Sequence, residues 1–177
     1  IPVDWIRMMK ASMKMAMRQF SSQRMVDDYQ EKFYLPGAFR SQELLFNQSD
    51  EARHLSAQNI RLALNWKQIH LMPPVVLNPK KFYRIGDAFS VTAAVHLGEL
   101  GPNDVDVELC LGTQKTIDAL EDIQTEAMNV SQELGYNHYQ YSCTTICKTS
   151  GQFAFTARVT PRGDNWIKYS PGLITWA

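Results

Sequence analysis

The hydrophobic pattern changes period once, at Pro73-Pro74, and that change constrains the fold more than any other feature. Before it, apolar residues recur every three or four positions, the repeat of one helix face. After it they alternate, punctuated by Gly, Pro, Asn and Asp, the repeat of strands and turns. The pattern therefore predicts an α+β chain, with a helical segment over residues 1–72 and a β-rich segment over 73–177.

Three helices are expected in the first segment. Trp5, Met9, Met13 and Met17 stand four apart and form one apolar stripe, with Ile6 and Phe20 beside it. Ser21 and Ser22 interrupt the stripe, and either hydroxyl can accept a backbone N–H at the start of the next helix. That second helix presents Met25, Val26, Tyr29 and Phe33 and is expected to end before Pro36-Gly37. In the third, Ser49 or Asp50 serves as cap, and Ala52, Leu55, Asn59, Leu62, Trp66 and Ile69 step by three and four, with Ile60 and Leu64 widening the stripe. A helix of about 20 residues is about 30 Å long and needs a partner surface along that length.

Beyond the two prolines, seven short strands are expected: 82–85, 89–97, 105–111, 123–132, 139–146, 153–160 and 173–176. Turn residues separate them at Gly86-Asp87, 98–102, 135–137, Ser150-Gly151 and 162–164. Short strands at this spacing predict an antiparallel immunoglobulin-like β-sandwich following the helices.

Charge argues against some function classes. Lys and Arg total 18, as do Asp and Glu, so no basic excess favours nucleic acid as a partner. No apolar run approaches the roughly 20 residues of a membrane span, and no basic-then-apolar leader opens the chain. Three cysteines, Cys110, Cys143 and Cys147, are too few and too odd for a disulfide scaffold, which suggests a reducing cytoplasm. The chain begins at Ile1 rather than Met, as a processed or excised segment would.

No nucleophile elbow, phosphate loop or paired-histidine metal motif occurs, so no catalytic, cofactor-binding or metal-binding residue is assigned. Cys143 and Cys147 are four apart rather than three, the other cysteine is remote, and the four histidines do not cluster in sequence; buried thiols fit better than a zinc site. Lys10 among methionines invites a Schiff-base reading, but no phosphate cradle accompanies it, so it reads as a solvated helix lysine. Asp104, Asp106 and Glu108 alternate on an expected strand and share one face, best read as a solvated exterior. Among Tyr136, Tyr139, Tyr141, Trp166 and Tyr169, the candidate glucan-binding residues are Tyr139, Tyr141 and Trp166. Flat aromatic faces stack on sugar rings, and Tyr139 and Tyr141 point the same way on one strand. If that way is inward they are core, which is the commoner fate of aromatics in a sandwich.

Two stretches carry a family resemblance. The first runs Trp5-x-x-x-Met9-Lys10-x-Ser12, Phe20, Arg24-Met25-Val26-x-x-Tyr29 and Phe33-Tyr34-x-Pro36. The second runs Gly86-Asp87-x-Phe89-x-Val91, Leu97-Gly98-x-Leu100-x-Pro102-x-Asp104-Val105-x-Val107-Glu108-Leu109 and Gly112. It finishes with Cys147-x-x-Ser150-Gly151, Arg158-Val159-x-Pro161 and Pro171-Gly172-Leu173-x-x-Trp176-Ala177. In this order they resemble the C-terminal region of the bacterial and archaeal α-glucan phosphorylases of the short type. The resemblance implies a parent glycosyltransferase that cuts terminal α-1,4-linked glucose with phosphate to give glucose 1-phosphate. It implies two Rossmann-like domains and a pyridoxal phosphate cofactor held by a lysine in a glycine-flanked Met-Lys motif. Lys10 lacks those glycines, and a two-domain core needs more than twice this length. The expectation is a non-catalytic C-terminal piece whose partners are the missing catalytic core of the same protein, an α-1,4-glucan or a second copy of itself. An independent carbohydrate-binding module and a dimerisation domain are the alternatives.

Overall fold

The computed structural model describes residues 2–116 and 119–177, with the side chains of 115, 116, 119 and 120 left aside; Ile1 lies outside the described residues. The chain divides into two compact units, Ile1–Leu55 and Ser56–Ala177. The division falls inside the third helix, upstream of the period change at Pro73.

The first unit is helical. Helix α1 (Val3–Gln19) and helix α2 (Ser22–Tyr29) are separated where the serines predict, and Ser21 Oγ accepts the Arg24 N–H at 3.3 Å. The expected stop at Pro36-Gly37 does not occur. A π-helical turn over Gln30–Tyr34 feeds straight into α3 (Leu35–Asn65), with the Leu35 N–H donating to the Gln30 carbonyl. A widened turn is one of the ways a helix tolerates proline, because it carries the preceding carbonyls away from the ring. The break comes at 46–49 instead, where Asn47, Gln48 and Ser49 all have positive φ. The helix resumes near Asp50, whose carboxylate accepts from Asn47 Nδ2 at 2.6 Å and Arg53 at 2.9 Å.

Among the described residues of this first unit, none is buried. Trp5 is 57% exposed, and Met9, Met13, Met17, Phe20, Phe33 and Phe39 are exposed as well.

The second unit has a core. The end of α3 and a 3-10 turn (Trp66–Gln68) bury Leu62, Trp66 and Ile69, three members of the expected stripe. Ile60 and Leu64, expected to widen it, are exposed. They lie on the opposite side of a helix whose buried face is one residue wide per turn.

Among the described residues eight strands follow, all paired antiparallel: β1 (His70–Leu71), β2 (Val75–Leu77), β3 (Ala88–His96), β4 (Val105–Thr116), β5 (Ala119–Gly135), β6 (His138–Ile146), β7 (Phe153–Pro161) and β8 (Thr175–Trp176). The segment 82–85, expected as a strand, is a loop closed by Gly86 at φ +91° and by Asp87, whose carboxylate accepts the Arg84 N–H. The order is β1-β3-β6-β5-β4-β7-β8, with β2 also on β3. Strands β7-β4-β5-β6 form a Greek key, three hairpin-connected strands with the fourth returned beside the first.

Pairing runs through one continuous path rather than two separate sheets because β5 is shared. Its first part pairs β4 as far as Met128, and from Asn129 it pairs β6. Four register shifts along its two partners bend it. The sheet curls until β1 touches β7 and β8, so it nearly closes into a barrel. The alternating residues point inward as read: Val91, Ala93 and Val95 on β3 and Val105, Val107 and Leu109 on β4 are all buried. Each valine and leucine among them contributes about 1.5–3 kcal/mol on leaving water.

Candidate functional site

The alternation of β6 puts Tyr139 and Tyr141 on the inward face. Tyr141 is 1% exposed, burial pushes its phenol up to about 12, and its hydroxyl meets no partner among the described residues. Tyr139 is half-buried. Tyr141 is therefore core, and it cannot present a face to a sugar as it stands.

Trp166 behaves differently. It lies on the short helix α4 (Asn165–Lys168), where the Asp164 carboxylate caps the Trp166 N–H at 3.0 Å. Trp166 and Tyr169 are 71% and 72% exposed, and with Asn165, Ser170 and Pro171 they line a shallow hollow of about 450 Å³. The structure does not bring the β6 tyrosines to that hollow.

A larger depression, about 690 Å³, opens at one end of the barrel. Its walls are apolar, with Phe82, Tyr83, Phe89, Phe153 and Phe155, and its rim carries Lys81, Arg84, Lys148 and Asp122. Phe82 comes from the loop that replaces the expected strand, so alternation could not have located it.

The carboxylates of Asp104, just before β4, and of Asp106 and Glu108 within it are paired rather than free. Arg61 of α3 grips Asp104 with both terminal nitrogens, the Nη1–Oδ2 contact being 3.0 Å. Arg162 Nε donates to Asp106 at 2.7 Å. Glu108 accepts from Arg158 at 2.7–2.8 Å and from Lys168 at 3.2 Å. Burial raises the Glu108 carboxyl, but the hydrogen bonds and charges of Arg158 and Lys168 outweigh it and hold the group below the ordinary glutamate value. Asp104 follows the same logic: burial raises it, and Arg61 and the Gly101 N–H bring it lower still. Asp104 and Glu108, held ionised in this way, tie α3, β7 and α4 to β4 and the turn before it and are unsuited to proton transfer near neutrality.

Cys110 is buried and Cys143 half-buried, and burial raises both thiols, which lowers their thiolate fraction. Lys10 is exposed on α1, without the desolvated pocket a Schiff-base lysine needs, so it does not fit the role of a pyridoxal phosphate lysine. The three histidines of the second unit, scattered in sequence, are brought together by strand register: His70 opposes His96, and His96 opposes His138.

Residues 66–177, the barrel and its entry turn, match the family model described as the glycogen phosphorylase C-terminal domain. The chain belongs to this family. A glycogen phosphorylase from Mycobacterium tuberculosis is 29% identical over 162 residues, covering 92% of this chain and 19% of the relative. A maltodextrin phosphorylase from Thermococcus litoralis is 28% identical over 177 residues, covering 97% of this chain and 20% of the relative. The chain thus spans about a fifth of the length of the relatives it matches. The similarity extends upstream of the phosphorylase C-terminal domain into the Met-rich helices, since 92–97% of the chain is covered.

Proposed function

We propose that this chain serves an α-1,4-glucan phosphorylase as a non-catalytic assembly element, whose helices dock onto the remainder of the phosphorylase polypeptide. The observation that carries the reading is the exposed stripe Trp5-Met9-Met13-Met17 in a unit with no buried residue among those described. Helices draw most of their stability from packing an apolar face, so a face this wide is made to be covered. A methionine-rich surface adapts to irregular partners. The relatives' length supports the choice of partner, since about four-fifths of each lies outside the matched region.

In this reading the parent reaction, phosphorolysis of glycogen or maltodextrin to glucose 1-phosphate in the cytoplasm, uses a pyridoxal phosphate held outside this chain. The Greek key and inward alternation support an immunoglobulin-like plan for the strand unit, modified by the shared β5. A second reading, that the unit also holds glucan, is favoured by the coupled exposure of Trp166 and Tyr169 beside one hollow.

The test is reconstitution. The chain alone, given maltoheptaose and phosphate, is expected to release no glucose 1-phosphate. A phosphorylase polypeptide truncated before this region is expected to gain thermal stability or activity when the chain is added. Release of glucose 1-phosphate by the chain alone would overturn the non-catalytic reading, and absence of any effect on the truncated enzyme would overturn the docking.

A further inference from the structure

We propose that His96 and His138 form a two-histidine chelate for a late transition-metal divalent ion such as Zn²⁺, on the outer surface of the barrel. Cross-strand pairing sets these residues directly opposite each other on β3 and β6. Their rings lie 4.3 Å apart, and the two Nδ1 atoms are 3.3 Å apart. Two imidazole nitrogens on one tetrahedral ion, with bonds of about 2.0–2.1 Å, stand about 3.3 Å from each other. The pair is already set at that bite.

An oxygen donor lies at the same spot. The Tyr136 carbonyl is 3.0 Å from His138 Nδ1. It is fixed by the tight β5–β6 turn, where Tyr136 and Asn137 both have positive φ. Asn137 anchors that turn to β3 from the other side, its carbonyl accepting the Leu97 N–H at 3.0 Å and its Nδ2 donating to the Gly98 carbonyl at 2.8 Å. The ligands therefore sit on backbone that is held from both strands, which limits the ordering cost of binding. Without a metal, His138 Nδ1–H donates to the Tyr136 carbonyl; an ion takes the place of that proton, with both rings in the Nε2–H tautomer and both Nδ1 lone pairs turned to it.

The set is two imidazoles and a carbonyl, with other positions left to water. Among the described residues no three His, Cys, Asp or Glu side chains converge on one point, so the site is open rather than a closed structural one. His70 is the next imidazole in the row. Its ring lies parallel to that of His96, 6.3 Å away, and does not join the chelate in this arrangement. Imidazole ligands select zinc, copper and nickel over the hard, oxygen-seeking magnesium.

The experiment is titration calorimetry of the 177-residue chain with ZnCl₂, with MgCl₂ as the control and histidine ring NMR resonances as a second readout. Zn²⁺ is expected to bind saturably and shift the His96 and His138 resonances, while Mg²⁺ does neither. His96→Ala and His138→Ala should each weaken binding on the order of tenfold or more, and His70→Ala should change it by less than about threefold. Circular dichroism checks that each variant keeps its strands. The proposal is overturned if Zn²⁺ does not bind. It is equally overturned if His96→Ala and His138→Ala leave the affinity unchanged, which would place the ion elsewhere, at the thiols for instance.

Discussion

Replacing Glu108 with Gln is expected to destabilise the strand unit by about 2 kcal/mol at neutral pH, with the loss shrinking in acid. Glu108 is 14% exposed at its side chain and accepts from two cations, Arg158 Nη2 at 2.7 Å and Lys168 Nζ at 3.2 Å. Hydrogen bonds to charged groups contribute about 1.5–3 kcal/mol each, and glutamine keeps one acceptor oxygen, so about half the total is lost. The pH dependence follows from linkage. Because the folded carboxyl titrates below its unfolded value, the pair stabilises fully above the unfolded glutamate range near pH 4.3 and is lost as pH falls through the folded value. Urea unfolding of wild type and Glu108→Gln, followed by circular dichroism from about pH 7 to about pH 2.5, should therefore give a gap that is constant above about pH 5 and closes below about pH 4. A gap that stays constant or widens as pH falls would refute the assignment of the stabilisation to an ionised Glu108.

Three further outcomes are expected. Gly98→Ala should cost about 2–3 kcal/mol in chemical unfolding, because Gly98 has φ +61° and the new methyl would stand 2.5 Å from Gln68 Cβ, displacing the side chain that accepts the Glu99 N–H. Leu62→Ala should cost about 3 kcal/mol while Leu64→Ala, two residues on and 74% exposed, costs less than about 0.5 kcal/mol in the same assay. Trp166→Ala should leave stability within about 0.5 kcal/mol but remove any calorimetric heat of maltoheptaose binding; unchanged sugar binding would end the glucan-holding reading at that hollow.

The legible parts of the fold are those governed by periodicity. Alternation at Val91-Ala93-Val95 and Val105-Val107-Leu109 placed both central strands and their inward faces, because a half-buried strand must alternate. The serine cap between α1 and α2 was equally readable. Pro36-Gly37 misled because a π-helical turn, which has no sequence signature of its own, carried the helix through it. The shared course of β5 was hidden for a related reason: bulges decide which neighbour a long strand pairs with, and local composition does not fix them. At the candidate sites, Trp166 was found as an exposed aromatic, whereas the fate of Tyr141 depended on which face of β6 met the core. The histidine row could not be seen at all, since His70, His96 and His138 come together only through the register of three strands.

The central claim concerns the methionine-rich stripe, and one measurement reaches it directly. The chain is titrated calorimetrically into the phosphorylase polypeptide that lacks this region, as wild type and as the Met9→Glu, Met13→Glu double variant. Both side chains are exposed on one face of α1, so the substitutions leave the strand unit intact while placing two charges in the docking face. Saturable binding by the wild type and on the order of a hundredfold weakening in the variant is the predicted result. Equal affinity of the two chains would contradict the account, because the helices would then be joined to the enzyme through some other surface.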